Sequence, residues 1–315
     1  MREALTETRR PQKAETFRRR WALTLLLTAM LMMLAGINSS AAGPEDTLAA
    51  EDPPLSSWTD CPVVAHALGV VDGRAGTNSR DAFLNSVRSG HQVLEVDLQL
   101  TGDGHLVARH DWDQDSYYTL EQTFAGVMDR QTFLNTPICY YYTPLDIDGL
   151  LALMKEYPGV YIVTDSKDTG EKAVRAQFRA LSEAVERAGD PSLWDRIVVQ
   201  IYKEKMLDWV KKEAPVTNWI FTLYQIPRPN YKAIGAFCRD NNIPVVTVED
   251  CQLNSKMAQT LHSYGQKIYV HTVNRLRAMS ELSWAADGFY SDCVTPSQLE
   301  GVLNGTSSTY LGTSN

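Results

Sequence analysis

Two histidines and two acids near the start of the folded sequence have the residue types and spacing of a metal-assisted acid/base site. Glu95 and Asp97 alternate with apolar residues, so on a β-strand both carboxylates point to one face. Two strand steps separate them by roughly 7 Å, which carboxylate arms can close around one hard cation that holds its oxygens at about 2.0–2.6 Å. His66 and His110 flank the pair in sequence, and imidazole exchanges a proton near neutral pH.

The elements that position these residues alternate between short β-rich runs and longer amphipathic segments. Eight strands are predicted, at residues 62–66, 93–98, 160–164, 197–201, 219–223, 244–248, 267–272 and 288–291. Helical patterns follow them at residues 81–89, 144–156, 171–188, 204–212, 231–241, 255–264, 276–284 and 296–303. This alternation implies parallel strands with right-handed crossovers, in an open doubly wound sheet or a closed (β/α)8 barrel. The strand number, the size of segment 61–303 and the lack of a G-x-G-x-x-G motif after the first strand favour an α/β fold of the TIM barrel type.

An extra β-hairpin and a long loop interrupt the alternation after the second strand. The sequence Thr101-Gly102-Asp103-Gly104 predicts a tight turn, and residues 105–110 return as a short strand that carries His110 back towards the acids. Residues 112–143 follow without a clear period and contain five tyrosines. We interpret this segment as a long active-site loop.

The polar candidates of this chain fall where the predicted strands end, which is where TIM barrels gather their chemistry. They are His66, Glu95, Asp97, Asp165, Lys167, Tyr202, Tyr224, Glu249, Asp250, His271 and Asp292. Inward carboxylates cost free energy unless a metal or a cationic side chain compensates them. We expect Glu249, Asp250 and Asp292 to cap the helices that follow them.

The two ends of the chain are predicted to lie outside the barrel. Residues 1–42 have the pattern of a signal peptide or an N-terminal membrane anchor, because basic residues precede an apolar run at 21–37 and small residues follow it. Residues 43–60 form a proline-broken linker, and residues 304–315 a flexible tail rich in Ser, Thr and Gly. We therefore expect an exported protein, either secreted or associated with a membrane through residues 21–37 on the extracytoplasmic side.

Charge and cysteine content exclude some classes of partner and site. The formal net charge is -8 without basic runs, so no nucleic-acid partner is expected, because phosphate neutralisation needs clustered cations. The five cysteines show no C-x-x-C spacing, so a zinc knuckle is not indicated. Cys238 with Cys251 is the one disulfide pairing that we consider.

The ordered set of motifs resembles the glycerophosphodiester phosphodiesterase family of the phospholipase C-like phosphodiesterase superfamily. The resemblance covers essentially the whole folded region. The matching residues are Ala65-His66 with Gly69, Thr77-Asn78-Ser79, Ala82-Phe83, Glu95-Val96-Asp97, Thr101 with Asp103-Gly104, His110-Asp111, Asp165-Ser166-Lys167, His271-Thr272-Val273-Asn274, and Asp287-Gly288 with Ser291-Asp292.

This resemblance implies a TIM barrel (61–303) in which Glu95, Asp97 and Asp165 hold one divalent cation. His66 and His110 would act as acid and base, in an order that stays open. Oxygen-only ligation favours Mg²⁺ or Ca²⁺ as the cofactor. The residues expected to contact the substrate are Lys167, Asn78, Tyr202 and His271.

The chain departs from the usual family pattern at three positions. Ala67 stands where an arginine normally follows the first histidine, Asp165 where Glu is more usual, and His271 where Trp is usual. The Asp-x-Lys form of residues 165–167 is similar to that of the related sphingomyelinase D branch.

The function predicted from these residues is metal-dependent hydrolysis of a phosphodiester, with glycerophosphodiesters or lipid head groups as the substrate class. One alternative keeps the site but lets a substrate hydroxyl attack phosphorus, as in phospholipase-like or sphingomyelinase D-like transesterification, and leaves a cyclic phosphate. A second alternative is a non-catalytic barrel that binds a phosphorylated ligand, for which the loss of the arginine after His66 is the support.

Overall fold

The computed structural model describes residues 55–113 and 126–305, which form one compact unit. Within them lie nine strands: β1 (Val63–Ala65), β2 (Val93–Leu100), β3 (Leu106–Ala108), β4 (Tyr161–Ser166), β5 (Ile197–Ile201), β6 (Asn218–Thr222), β7 (Val245–Glu249), β8 (Lys267–His271) and β9 (Gly288–Ser291). All neighbouring pairs except β2 with β3 are parallel, and β1 pairs with both β2 and β9. Eight parallel strands therefore close into a barrel, and the predicted TIM barrel is confirmed.

The predicted extra hairpin is formed by β2 and β3, which pair antiparallel. Gly104 turns the chain between them with a φ of 82°, a conformation that glycine adopts without steric cost. The pairing continues past β3, because the backbone N–H of Arg109 donates to the carbonyl of Asp97 (2.9 Å). The hairpin thereby brings His110 back to the end of β2.

Nine α-helices lie in the described part of the chain. They are α1 (Arg80–Arg88), α2 (Arg130–Leu134), α3 (Ile147–Glu156), α4 (Glu171–Ala188), α5 (Glu204–Lys211), α6 (Tyr231–Asp240), α7 (Ser255–Ser263), α8 (Leu276–Leu282) and α9 (Pro296–Leu303). Helix α4 has the predicted bounds, because its apolar residues, among them Phe178, Leu181 and Val185, recur at helical spacing and are buried. Gly189 ends this helix in the left-handed conformation.

The base of the barrel interior is apolar and closed by a residue from outside the predicted barrel. Trp58, in a 3-10 turn (Trp58–Asp60), is 4% exposed and packs there in one buried cluster with Val64, Val93, Val163, Val198, Ile220 and Val245. Its indole Nε1 also donates to Oδ1 of Asn218 (3.3 Å). The prediction that residues 43–60 form a linker stays a prediction, since residues 43–54 lie outside the described residues. Trp58 itself is buried because a large indole gains more by filling this base than by staying in water.

The segment predicted as a long structureless loop, 112–143, contains regular structure. Helix α2 begins after Asp129, whose side chain accepts a hydrogen bond from a backbone N–H of the first turn. It buries Phe133 in a small cluster with Val107 and Met128. Residues 114–125 of the predicted loop lie outside the described residues.

The predictions for the chain ends fall mainly outside the described residues, which exclude 1–54 and 306–315. Within residues 55–113 and 126–305, no helix is both long and apolar enough to cross a bilayer. Signal peptide, anchor and tail therefore stay predictions. The considered pairing of Cys238 with Cys251 is wrong, since both thiols are free and only Cys238 is buried.

Candidate active site

Three carboxylates from two neighbouring strands meet inside the mouth of the barrel. Glu95 and Asp97 lie on β2 and Asp165 on β4, and the strand register places Asp97 beside Asp165. Each of the three residues offers a carboxylate oxygen within 4.8 Å of the others, and all three residues are buried. The predicted ligands of one cation are thus brought together, because alternation along β2 and parallel register with β4 point them to the same interior.

Glu95 is held by the backbone of the turn that follows β1. The amide N–H of Ala67 donates to Oε2 of Glu95 (2.7 Å), in a turn where Ala67 and Leu68 both adopt left-handed φ angles, of 49° and 64°. Ser86 on α1 fixes this turn by donating to the carbonyl of Leu68 (2.7 Å). The next residue, Gly69, could not carry a side chain, since a Cβ there would lie 2.0 Å from Oγ of Ser86.

Asp97 is held at two points by one asparagine. Nδ2 of Asn78 donates to Oδ2 of Asp97 (2.8 Å), and Oδ1 of Asn78 accepts the backbone N–H of Asp97 (3.0 Å). Asn78 is 1% exposed and has a φ of 48°. Both ends of the Asn78 amide therefore contact Asp97, and the predicted contact of Asn78 with substrate stays a prediction.

Asp165 is contacted by a tyrosine and a lysine. The hydroxyl of Tyr202 donates to Oδ1 of Asp165 and shares a hydrogen bond with the hydroxyl of Tyr224. Tyr202 is fully buried and contacts a candidate ligand, and its expected contact with substrate stays a prediction. Nζ of Lys167 donates to Oδ2 of Asp165 and lies 2.7 Å from Oδ1 of Asp97, close enough for an ion pair although not aligned for a hydrogen bond.

Each candidate catalytic histidine has a carboxylate at its Nδ1. His66, in a 3-10 turn (His66–Leu68), lies with Nδ1 2.8 Å from Oδ1 of Asp292 and with Nε2 4.0 Å from Oε2 of Glu95. Nδ1 of His110 lies 2.6 Å from Oδ2 of Asp111. A carboxylate at Nδ1 favours the tautomer that carries its proton there, which makes Nε2 the basic nitrogen of the neutral ring.

The charges of the site act strongly on one another. Burial and the neighbouring charge of Asp97 raise the pKa of Glu95 above its ordinary value. Burial acts to raise the pKa of Asp97 as well, but the ammonium of Lys167 and the charges of His66 and His110 lower it. Burial alone would lower the pKa of His66, whereas its hydrogen bond to Asp292 and the charge of Glu95 raise that pKa to about 9.

The donor set of the three acids fits a hard divalent cation. Oε1 of Glu95 is buried without a hydrogen-bond partner among the described residues. In the same part of the chain, Lys167 pairs with Asp97 and Asp165, and His66 lies 4.0 Å from Glu95. Buried carboxylates in this number need further positive charge. Because all three donors are oxygens, Mg²⁺ and Ca²⁺ suit the site better than zinc.

His271 lies at the rim beside the tyrosines. Its ring centroid is 4.5 Å from that of Tyr224, and its Nε2 is buried without a hydrogen-bond partner in the described part of the chain. Burial and the charge of His66 lower the pKa of His271 to about 4, so the ring is neutral at physiological pH. Its predicted contact with substrate stays a prediction, as does that of Lys167.

Sequence reasoning missed the role of Asp292, which was expected to cap a helix. Oδ1 of Asp292 pairs with His66, and Oδ2 accepts a hydrogen bond from Asn274 (2.5 Å). The helix that follows is capped instead by Thr295. The signals in the sequence were the position of Asp292 at the end of a strand and its place in the Ser291-Asp292 motif, and neither names His66 as its partner.

Comparison with known proteins supports the resemblance that the motifs indicate. Residues 71–138 match the model of the glycerophosphoryl diester phosphodiesterase family. This segment contains the Glu-x-Asp pair, Asn78 and His110. None of the curated proteins matches the chain.

Solved structures share its barrel. A protein of Parabacteroides distasonis, described as a glycerophosphodiester phosphodiesterase, is 15% identical, with a TM-score of 0.60 over 78% of this chain and 98% of that one. A phosphodiesterase of Oleispira antarctica, in complex with the product sn-glycerol-3-phosphate, is 16% identical, with a TM-score of 0.62 over 77% of this chain and 96% of that one. At these identities the likeness establishes the fold. Together with the match over residues 71–138, it confirms that the chain resembles the glycerophosphoryl diester phosphodiesterase family.

Proposed function

We propose that this protein is a metal-dependent phosphoric diester hydrolase that cleaves glycerophosphodiesters to an alcohol and glycerol phosphate. One observation carries the proposal: three buried carboxylates within 4.8 Å of one another lie at the barrel mouth, beside two histidines that are each paired with an acid. The family match over residues 71–138 supports this reaction class. The product bound to the Oleispira antarctica protein supports a glycerol phosphate product.

Glu95, Asp97 and Asp165 are the residues that would hold the cation. When bound there, a divalent cation would neutralise a phosphoryl oxygen and the negative charge that develops on it in the transition state. The chain itself holds these acids in place by hydrogen bonds that need no bound ligand. Ala67 donates to Glu95, Asn78 to Asp97, and Tyr202 to Asp165.

The two imidazoles would carry the proton transfers. Asp292 and Asp111 hold Nδ1 of His66 and of His110, so Nε2 of one ring takes a proton from the attacking oxygen and Nε2 of the other gives one to the leaving alcohol. Transfers of this kind contribute about 10²- to 10⁴-fold each.

Lys167 is the cationic side chain proposed to contact the phosphate. Ala67 stands where an arginine usually follows the first histidine, and its backbone N–H donates a hydrogen bond to Glu95. The ammonium of Lys167 contacts two of the acids, and the Lys167 side chain is 25% exposed. Lys167 therefore lies between the acids and the solvent, where a bound substrate would meet it.

Turnover with and without divalent ions tests this proposal. Chelator-treated protein should not cleave glycerophosphocholine, and Mg²⁺ or Ca²⁺ should restore cleavage. Phosphorus NMR of the product distinguishes glycerol phosphate from a cyclic phosphate, which would indicate transesterification instead. Turnover that is indifferent to chelation would remove the metal from the mechanism, and binding without turnover of any phosphodiester would favour the non-catalytic alternative.

Histidine variants test the acid/base roles. His66→Ala and His110→Ala should each lower kcat by about 10²-fold or more, with the fold retained by circular dichroism. His262→Ala is the matched control, since His262 is an exposed histidine on α7 that pairs with Asp287. Near-normal turnover in either of the first two variants would refute the assigned pair.

Export is a separate proposal. Its support is the basic stretch before the apolar run at 21–37 and the small residues after it. Expression of the full chain followed by N-terminal sequencing of the product tests it. A mature N-terminus near residue 43 would indicate secretion, an intact N-terminus in the membrane fraction would indicate an anchor, and an intact chain in the cytoplasm would refute export.

A further inference from the structure

Asn274 links two strand ends at the barrel mouth through one acid. It follows β8, and Asp292 follows β9. Nδ2 of Asn274 donates to Oδ2 of Asp292 (2.5 Å), while its Oδ1 accepts the backbone N–H of Asp292 (2.8 Å) and the hydroxyl of Ser291 (3.0 Å). With Oδ2 engaged in this way, Oδ1 of Asp292 is the oxygen that reaches Nδ1 of His66 (2.8 Å).

The same two-point contact occurs on the other side of the site. There Asn78 donates to the carboxylate of Asp97 and accepts the backbone N–H of the same residue. One amide that grips both the side chain and the backbone of an acid restricts its χ1 and χ2 angles, because either rotation breaks a hydrogen bond. Asn78 and Asn274 thus hold two acids with different tasks: Asp97 belongs to the candidate cation ligands, whereas Asp292 contacts a histidine.

We propose that Asn274 is a positioning residue for the reaction: by holding Asp292 in one orientation, it sets the direction in which Nε2 of His66 points. This inference rests on the proposed function. Among the hydrogen bonds of the described residues, the side chain of Asn274 contacts Asp292 and Ser291 but none of the three acids, so its route to His66 runs through Asp292.

A double-mutant cycle tests this route. Asn274→Ala should lower kcat on glycerophosphocholine about tenfold, the effect of one hydrogen bond to a charged group. KM and the affinity for Mg²⁺ or Ca²⁺ should stay within about twofold, because the cation ligands are held by other residues. In an Asp292→Ala background, the same Asn274→Ala change should alter kcat less than about twofold, since the residue through which it acts is gone.

The control for a general loss of stability is Asn254→Ala. Asn254 is an exposed asparagine that caps α7 through the backbone N–H of Met257 (3.0 Å), so its loss lowers the melting temperature and leaves kcat unchanged. If Asn274→Ala does not fold, Asn274→Ser replaces it, because the serine hydroxyl is too short to grip both groups of Asp292. Equal effects of the Asn274 change with and without Asp292 would overturn the proposal, and so would a matching loss of divalent-ion affinity.

A readout independent of turnover separates this proposal from the proposed function. In protein labelled with ¹⁵N-histidine, Asn274→Ala should shift the Nδ1 resonance of His66 and leave that of His110 unchanged. An unchanged His66 resonance would overturn the positioning role even in an active enzyme. Wild-type protein that cleaves no phosphodiester would refute the proposed function, while the resonance would still decide whether Asn274 acts on His66.

Discussion

Removal of the Asn78 side chain is the sharpest test of how the acids are held. We consider Asn78→Gly rather than Asn78→Ala, because residue 78 has a φ of 48°, which glycine adopts freely and alanine only with strain. The glycine variant therefore removes the two hydrogen bonds to Asp97 without a backbone penalty from a new side chain. It leaves Glu95, Asp97 and Asp165 themselves unchanged.

The expected magnitude follows from those two bonds. One, of 2.8 Å, goes to the carboxylate and the other, of 3.0 Å, to the backbone N–H of Asp97. Their loss frees the carboxylate to rotate, and loss of an outer partner of a metal ligand typically weakens metal affinity about 10–100-fold. That range corresponds to about 1.4–2.7 kcal/mol of binding free energy.

Calorimetric titration of chelator-treated protein with Mg²⁺ and with Ca²⁺ measures the change directly. Thermal or urea unfolding provides a second measure: at a concentration of 100 times the wild-type Kd, the ion should stabilise wild type by about 2.7 kcal/mol. A variant with tenfold weaker affinity should gain only about 1.4 kcal/mol at that concentration. Asn254→Gly, at an exposed helix cap, should keep the wild-type Kd. An Asn78→Gly protein with a Kd within twofold of wild type would refute the reasoning.

Three further predictions concern stability. Burial lowers the pKa of His91 from 6.5 to about 4, so between these values the unfolded chain binds a proton at His91 that the folded chain does not, and the contribution of His91 to the free energy of unfolding should fall by about 3 kcal/mol from pH 7 to pH 4. Urea titrations across this range should show a smaller fall in His91→Gln, and an equal fall would contradict the assignment. Gln177 on α4 is 2% exposed, and neither end of its amide has a partner among the described residues, so Gln177→Met should raise the free energy of unfolding by about 1–2 kcal/mol. A less stable Met variant would show that the amide is satisfied. Trp58→Ala should lower the free energy of unfolding in urea by about 3–5 kcal/mol. A loss below about 1 kcal/mol would contradict the packing of Trp58 in the barrel base.

The fold and the central acids were predictable because their signals are local. Helix α4 has the predicted bounds since its apolar period, and the glycine that ends it, lie within one short stretch of sequence. Glu95 and Asp97 share a face because side chains alternate along any strand, whatever the strand packs against. The turn at Thr101 to Gly104 likewise predicted the hairpin of β2 and β3, because its signal lies within four residues.

The roles of Asn78, Tyr202 and Trp58 were not predictable in the same way. The sequence indicated only their positions: Asn78 lies within a motif, Tyr202 follows a strand, and Trp58 precedes the barrel. The residues that they contact depend on how the elements pack. Asn78 contacts the candidate ligand Asp97, and Tyr202 contacts the candidate ligand Asp165. Trp58 fills the barrel base because the strands leave an apolar space there.

The amino-acid sequence by itself determined that parallel strands would alternate with helices and that acids and histidines would stand at the strand ends, because periodicity and turn chemistry act over a few residues. The tertiary structure alone decided which of these residues meet. His66 and Asp292 are 226 positions apart in sequence and share a hydrogen bond only because β1 pairs with β9 when the barrel closes. Closure depends on the packing of the whole barrel at once, and no local pattern encodes such a contact.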